Sequence, residues 1–138
     1  MKMNKREFLK SAAALSSLTL LPGCNWETSD QKRLRTAHIG VGNMGGEDLK
    51  AISSHEMVDV VALCDVDSNN LSAAAKLHPK AKLFSDYREL FKEMADGIDA
   101  VIVSTPDHTH APASMMAMDL DKAVYCQKPL THHVTEAR

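Results

Sequence analysis

From Arg35 to Cys126 the apolar and polar positions change period in a regular alternation. Arg35–Gly40 reads as a first strand. Met44–Ser54 follows as a helix, with Met44, Leu49 and Ile52 apolar. Val58–Cys64 is a near-continuous apolar run rich in Val, the pattern of a strand covered on both faces of a parallel sheet. Asn69–Leu77 predicts a second helix, stopped by Pro79. A short strand at Lys82–Phe84 leads to a helix over Asp86–Met94, with Ser85 or Asp86 as its cap and Gly97 as its closing C′ glycine. Ala100–Ser104 is another buried run, Pro112–Leu120 a further helix, and Ala123–Cys126 the last strand. Strand and helix alternating in this way predict βαβ units. With right-handed crossovers they build a doubly wound parallel α/β sheet, with an expected strand order 3-2-1-4-5.

The first residues follow a different pattern. Lys2, Lys5 and Arg6 precede an apolar stretch, Ala12–Leu21, of about ten residues. That is the length of a signal-peptide core and well short of the ~20 residues of a membrane-spanning helix. Asn4-Lys5-Arg6-Glu7-Phe8-Leu9-Lys10 resembles a twin-arginine export signal, with Lys5 in place of the first Arg and Asn4 where Ser or Thr is commoner. Leu21-Pro22-Gly23-Cys24 resembles a lipobox, which implies lipidation of Cys24 as the mature N-terminus; the alternative is a secretory signal cleaved near Gly23. The chain is expected to divide into an export signal (1–24), a polar tether (25–34) and an α/β domain (35–138). Export to the cell envelope or periplasm, with a membrane anchor at Cys24, follows from these resemblances.

Composition narrows the class. Sixteen Lys+Arg stand against eighteen Asp+Glu, a net charge of −2, which leaves no basic surplus for a phosphate backbone. With 4% aromatic residues there is also little to stack on bases, so nucleic acid is not an expected partner. Three cysteines do not make a disulfide scaffold. In the expected strand order Cys64 and Cys126 end strands three places apart, about 14 Å at ~4.8 Å per strand, so both are expected as free thiols.

The chemistry is concentrated at strand ends. Gly40-Val41-Gly42-Asn43-Met44-Gly45 is a G-x-G-x-x-G between a predicted strand and a predicted helix. The first glycine permits the tight turn, the second brings backbone close to a pyrophosphate, and the third lets helix and strand pack. The helix N-terminus offers unpaired N–H groups and positive potential to phosphate. Asp65 ends the next strand, 20 residues past Gly45, where a carboxylate accepts both ribose hydroxyls and repels a 2′-phosphate. Asp67 is then free to act as a helix cap. No Arg follows Asp65 closely enough to hold such a phosphate, so NAD is expected over NADP.

From Thr36 to Arg138 the sequence resembles the N-terminal domain of the Gfo/Idh/MocA oxidoreductase family. The resemblance rests on Ile39–Gly45, Ala62–Asp67, Ser104-Thr105-Pro106-Asp107-His108-Thr109-His110-Ala111 and Val124-Tyr125-Cys126-Gln127-Lys128-Pro129-Leu130, four pieces in the family's order. It implies a Rossmann domain followed by an α+β domain, using NAD(P) to oxidise or reduce hydroxyl carbons of a sugar, polyol or sugar derivative. Thr105, Pro106 and His110 would then line the nicotinamide side of the cofactor cleft, with Ser104 a further cofactor contact. Gln127 and Lys128 would stand in the Glu-Lys-Pro motif, with Lys128 touching substrate and nicotinamide ribose as the catalytic residue. Together with Gly40, Gly42, Asn43, Met44, Gly45 and Asp65, these are the candidate cofactor contacts.

Three departures from the family pattern stand out. Gln127 replaces the usual Glu, removing a carboxylate beside Lys128. Asp121 stands where Gly is usual and where left-handed backbone is expected. Val134–Arg138 begins a helix, with Thr131 as its cap, that has no stop signal. The chain is therefore expected to be the N-terminal part of a longer protein, inactive alone and oligomeric through its second domain. A redox-assisted glycosidase and a non-catalytic dinucleotide-binding lipoprotein are the alternative functions. Two His at i and i+2, His108 and His110, suit a metal poorly even with His132 and His133 nearby, so no metal is expected. Met115, Met116 and Met118 read as core fillers.

Overall fold

A computed structural model describes residues 32–138. The expected export signal, the lipobox at Cys24 and most of the tether lie outside the described residues. The elements are β1 (Leu34–Ile39), α1 (Met44–Ser53), β2 (Val58–Cys64), α2 (Ser68–Leu77), β3 (Lys82–Phe84), α3 (Tyr87–Met94), β4 (Ala100–Val103), α4 (His110–Asp119) and β5 (Ala123–Cys126). All pairings are parallel, in the order β3-β2-β1-β4-β5. This is the Rossmann-like doubly wound arrangement that the alternating pattern predicts.

Alternation along β1 divides the core into two layers. Ala37 and Ile39 pack with Cys64, Phe84, Leu90, Phe91, Val101, Val103, Ala113 and Ala117 on the side of α3 and α4. Val41, Leu49, Leu63 and Ala74 form a smaller cluster on the side of α1 and α2. Arg35 clasps β1 to the start of β4: Nε and Nη2 reach the two Asp99 carboxylate oxygens at 2.9 and 2.6 Å. That guanidinium, with the Arg35 backbone N–H, holds the Asp99 carboxyl well below the usual carboxylate range.

Local rules set most helix ends. Asp67 accepts from Asn69 N–H at 2.8 Å at the start of α2, and Asp86, rather than Ser85, accepts from Arg88 N–H at 2.9 Å at the start of α3. Asp121 adopts φ 56, the left-handed geometry expected there. Among the described residues Cys64 and Cys126 form no disulfide, and they lie on strands β2 and β5 as the order requires.

Four expectations are corrected. Gly97 is not a left-handed C′ residue, since α3 tightens into a 3₁₀ turn over Ala95–Gly97 closed by Ile98 N–H on Ala95 O at 3.3 Å. Helix α4 begins at His110, two residues before Pro112, because a proline inside the first turn lacks only an N–H that has no helical acceptor. Val134–Arg138 forms a turn and not a helix: Glu136 N–H donates to His133 O at 3.1 Å, and the Glu136 carboxylate accepts back from His132 N–H and His133 N–H at 2.8 and 3.0 Å, a capping-box contact on a single turn. Of the three methionines only Met116 packs on the core, while Met115 and Met118 are about half exposed on the outer side of α4.

Candidate functional site

The chain runs outward from β1 through β2 to β3, then crosses back to β4 beside β1. The loops after β1 and β4 therefore diverge, leaving a crevice at the carboxyl ends of the strands. A cleft of about 810 Å³ opens there, lined by the β1–α1 turn, Asp65 to Asp67, Ser85 to Arg88, and Ser104 to Pro106 among others.

Backbone demands explain the glycines. Gly40 has φ +83, and a Cβ on it would lie 2.7 Å from Ser104 O. A Cβ on Gly45 would run into Gly40 O, so this glycine is what lets α1 start against β1. Asn43 takes φ 45, and its side chain makes no capping bond. Val41 N–H donates to Asp65 and Gly45 N–H to Gly42 O, leaving the N–H groups of Gly42, Asn43 and Met44 without a main-chain acceptor among the described residues. Such unpaired donors at a helix start suit a pyrophosphate.

Asp65 closes the other side of the turn. Its Oδ2 accepts from Val41 N–H and its Oδ1 from Asp67 N–H, each at 2.9 Å. Each oxygen keeps a lone pair for a ribose hydroxyl. Glycine turn, free donors and oriented carboxylate together fit a dinucleotide. Beside them Cys64 is buried, and burial with the Asp86 and Asp65 charges pushes its thiol up to about 12.

Of the other expected site residues, Ser104, Thr105 and Pro106 line the cleft, while His110 lies beneath it, 1% exposed. Its Nδ1 is 2.6 Å from Pro129 O and its Nε2 2.7 Å from Thr105 O, so the ring bridges the loops after β4 and β5. Gln127 is half-buried and Lys128 exposed, and no carboxylate of the described residues pairs with Lys128 Nζ. His132 turns to Asp107 at 3.0 Å, and among the described residues no three His, Cys, Asp or Glu side chains converge as metal ligands.

Two site residues escaped the sequence reading. Asp48 on α1 accepts from Ser104 Oγ at 2.6 Å and from Gln127 Nε2 at 3.1 Å. Its signal was the i+3 spacing from Gly45, which puts it on the helix side facing β4. Arg88 also lines the cleft, although no Arg follows Asp65 closely in sequence; its Nη1 is held by Asp86 Oδ2 at 3.0 Å.

A glycine turn over a helix N-terminus at a switch point, with a carboxylate at the end of the second strand, defines a dinucleotide-binding α/β domain. Residues 34–138 match the Gfo/Idh/MocA oxidoreductases, described as an oxidoreductase family with an NAD-binding Rossmann fold. The chain belongs to that family, and these residues are its NAD-binding domain. It is 35% identical over 135 residues to a glycosyl hydrolase family 109 protein of Stenotrophomonas maltophilia, covering 91% of this chain and 29% of that protein. An inositol 2-dehydrogenase of Rubrobacter xylanophilus is 32% identical over 79% of this chain and 31% of that enzyme. The structure of myo-inositol dehydrogenase from Lactobacillus casei in complex with NAD(H) and myo-inositol is 28% identical, with a TM-score of 0.70 over 76% of this chain and 31% of that one. The chain thus spans under a third of the length of these relatives.

Proposed function

We propose that the full-length protein is an NAD-dependent oxidoreductase acting on a hydroxyl carbon of a sugar, polyol or sugar derivative. The observation that carries this reading is the Asp65 carboxylate, fixed at 2.9 Å by the glycine turn it faces, in a cleft whose opposite rim carries Thr105 and Pro106. When bound, NAD would supply the hydride acceptor. This chain's own residues would hold it: the N–H groups of Gly42 to Met44 on the pyrophosphate and Asp65 on the adenosine ribose. Lys128, at the carboxyl end of β5, would hydrogen-bond the reacting hydroxyl and stabilise negative charge on its oxygen as the C–H bond breaks. The proton would leave to a base of the second domain.

Similarity to inositol dehydrogenases supports a polyol substrate. The relative named a family 109 glycosyl hydrolase, which aligns with 91% of this chain, favours a second reading as an NAD-dependent glycosidase. Export and a lipid anchor at Cys24 belong to the same proposal and rest on the sequence motifs, and self-association through a further domain rests on the family resemblance. The test is full-length protein with NAD and a panel of polyols and sugars that includes myo-inositol. NADH accumulation supports the dehydrogenase. Cleavage of an aryl glycoside without net NADH supports the glycosidase, and neither outcome overturns both.

A further inference from the structure

Gln127 sits between two groups that constrain it from opposite ends. Its Nε2 lies 3.1 and 3.4 Å from the Asp48 carboxylate oxygens, and its Oε1 accepts from Lys128 N–H at 2.8 Å. A carboxylate has no hydrogen to donate and a backbone N–H cannot accept, so this amide has only one workable orientation. The Gln127 backbone is itself tied to the sheet, its N–H donating to Val103 O at 2.9 Å. Asp48 is anchored by a second donor, the Ser104 hydroxyl at 2.6 Å. A continuous hydrogen-bonded path therefore runs from the end of β4 through α1 to the backbone of Lys128.

We propose that Asp48 is a positioning residue, forming with Gln127 an acid–amide pair that sets how the end of β5 presents Lys128 to the cleft. The proposal rests on the reading of that cleft as the cofactor and substrate site. It also accounts for Gln127 in this chain: a Glu there would set carboxylate against carboxylate and lose the N–H that Asp48 accepts. The negative charge missing from position 127 is carried instead by Asp48 on α1.

A charge exchange between the two positions tests this. In the full-length protein, Gln127→Glu is expected to lower the melting temperature measured without cofactor and to lower turnover of whichever polyol or sugar the parent oxidises about tenfold, with NADH affinity, followed by fluorescence titration, changed by less than about threefold. Adding Asp48→Asn reverses the polarity of the pair. The amide introduced on α1 then donates to the carboxylate introduced at position 127, and its carbonyl still accepts from Ser104. The new carboxylate in turn still accepts from Lys128 N–H. The double variant is expected to recover the parent's melting temperature and to turn over within about threefold of it. Gln127→Glu behaving like the parent, or the double variant proving no better than Gln127→Glu, overturns the proposal. If Gln127→Glu alone does not fold, recovery of a folded protein in the double variant supports the pair and failure to recover it overturns the pair. A parent that binds no NADH refutes the proposed function, while the melting temperatures still decide the pairing.

Discussion

Val41 donates its backbone N–H to Asp65 Oδ2 at 2.9 Å, so the glycine turn that would receive the pyrophosphate also aims the carboxylate that would receive the ribose. Two parts of one dinucleotide site, 24 residues apart, are locked by a single bond.

That bond makes cofactor choice a sharp test. Asp65→Ser removes the charge that repels a 2′-phosphate and the acceptor for the ribose hydroxyls. Losing charge-assisted hydrogen bonds costs about 1.5–3 kcal/mol, so NAD affinity is expected to fall roughly ten- to a hundredfold. Arg88, already at the cleft and paired with Asp86, is a cation within the same cleft for a 2′-phosphate once Asp65 is gone. Calorimetry with both dinucleotides is the measurement. Tighter binding of NADP than NAD by the parent would refute the role given to Asp65.

Lys128→Met in the full-length protein is expected to lower turnover about 10²-fold, the scale of one lost transition-state donor, with NAD affinity changed by less than about threefold. Steady-state kinetics alongside NADH titration separate the two effects. An unchanged turnover number removes Lys128 from the chemistry.

Acid sensitivity is expected from His38. The ring is buried in β1, its Nε2 3.2 Å from Thr36 Oγ1 and its Nδ1 without a hydrogen-bond partner among the described residues. Burial, with a smaller push from His78 and an opposing pull from Asp48, lowers its pKa from 6.5 to about 4. As pH falls below 6.5 the unfolded chain takes up a proton that the folded chain refuses, so stability declines down to about pH 4. The loss amounts to about 3 kcal/mol. His38→Leu is expected to flatten that limb, and urea titrations above and below the window read it. An equally steep limb in the variant would exclude His38 as the cause.

The export motif yields a cellular prediction. A dinucleotide enzyme is best loaded in the cytoplasm, and the twin-arginine route that Lys5-Arg6 resembles carries folded proteins. Lys5→Gln with Arg6→Gln is expected to hold the full-length protein inside the cell, as fractionation with an antibody would reveal. Unimpaired export of the double variant would sink the loading argument.

The order of elements, the parallel sheet and the glycine turn were all legible in the sequence. Each depends on neighbours in the chain: the period of apolar residues, the backbone freedom of Gly40, the reach of Asp67 and Asp86 to their own helix starts. Helix termini read less well. Gly97 carries an ordinary stop signal and Thr131 an ordinary cap, but a 3₁₀ turn replaces the first and the residues after the second close a single turn. Only the tertiary structure decided which distant residues meet. Asp48 lies 56 residues from Ser104 and 79 from Gln127, and it reaches both because β4 is laid beside β1. His110 was expected to line the cofactor cleft; it is buried outside the cleft lining and bridges the Thr105 and Pro129 carbonyls instead. Arg88 came to the cleft from the helix after β3, a strand that pairs with β2. Periodicity reports which face of an element is buried; which side chains share a crevice follows from strand order, a property of the whole sheet.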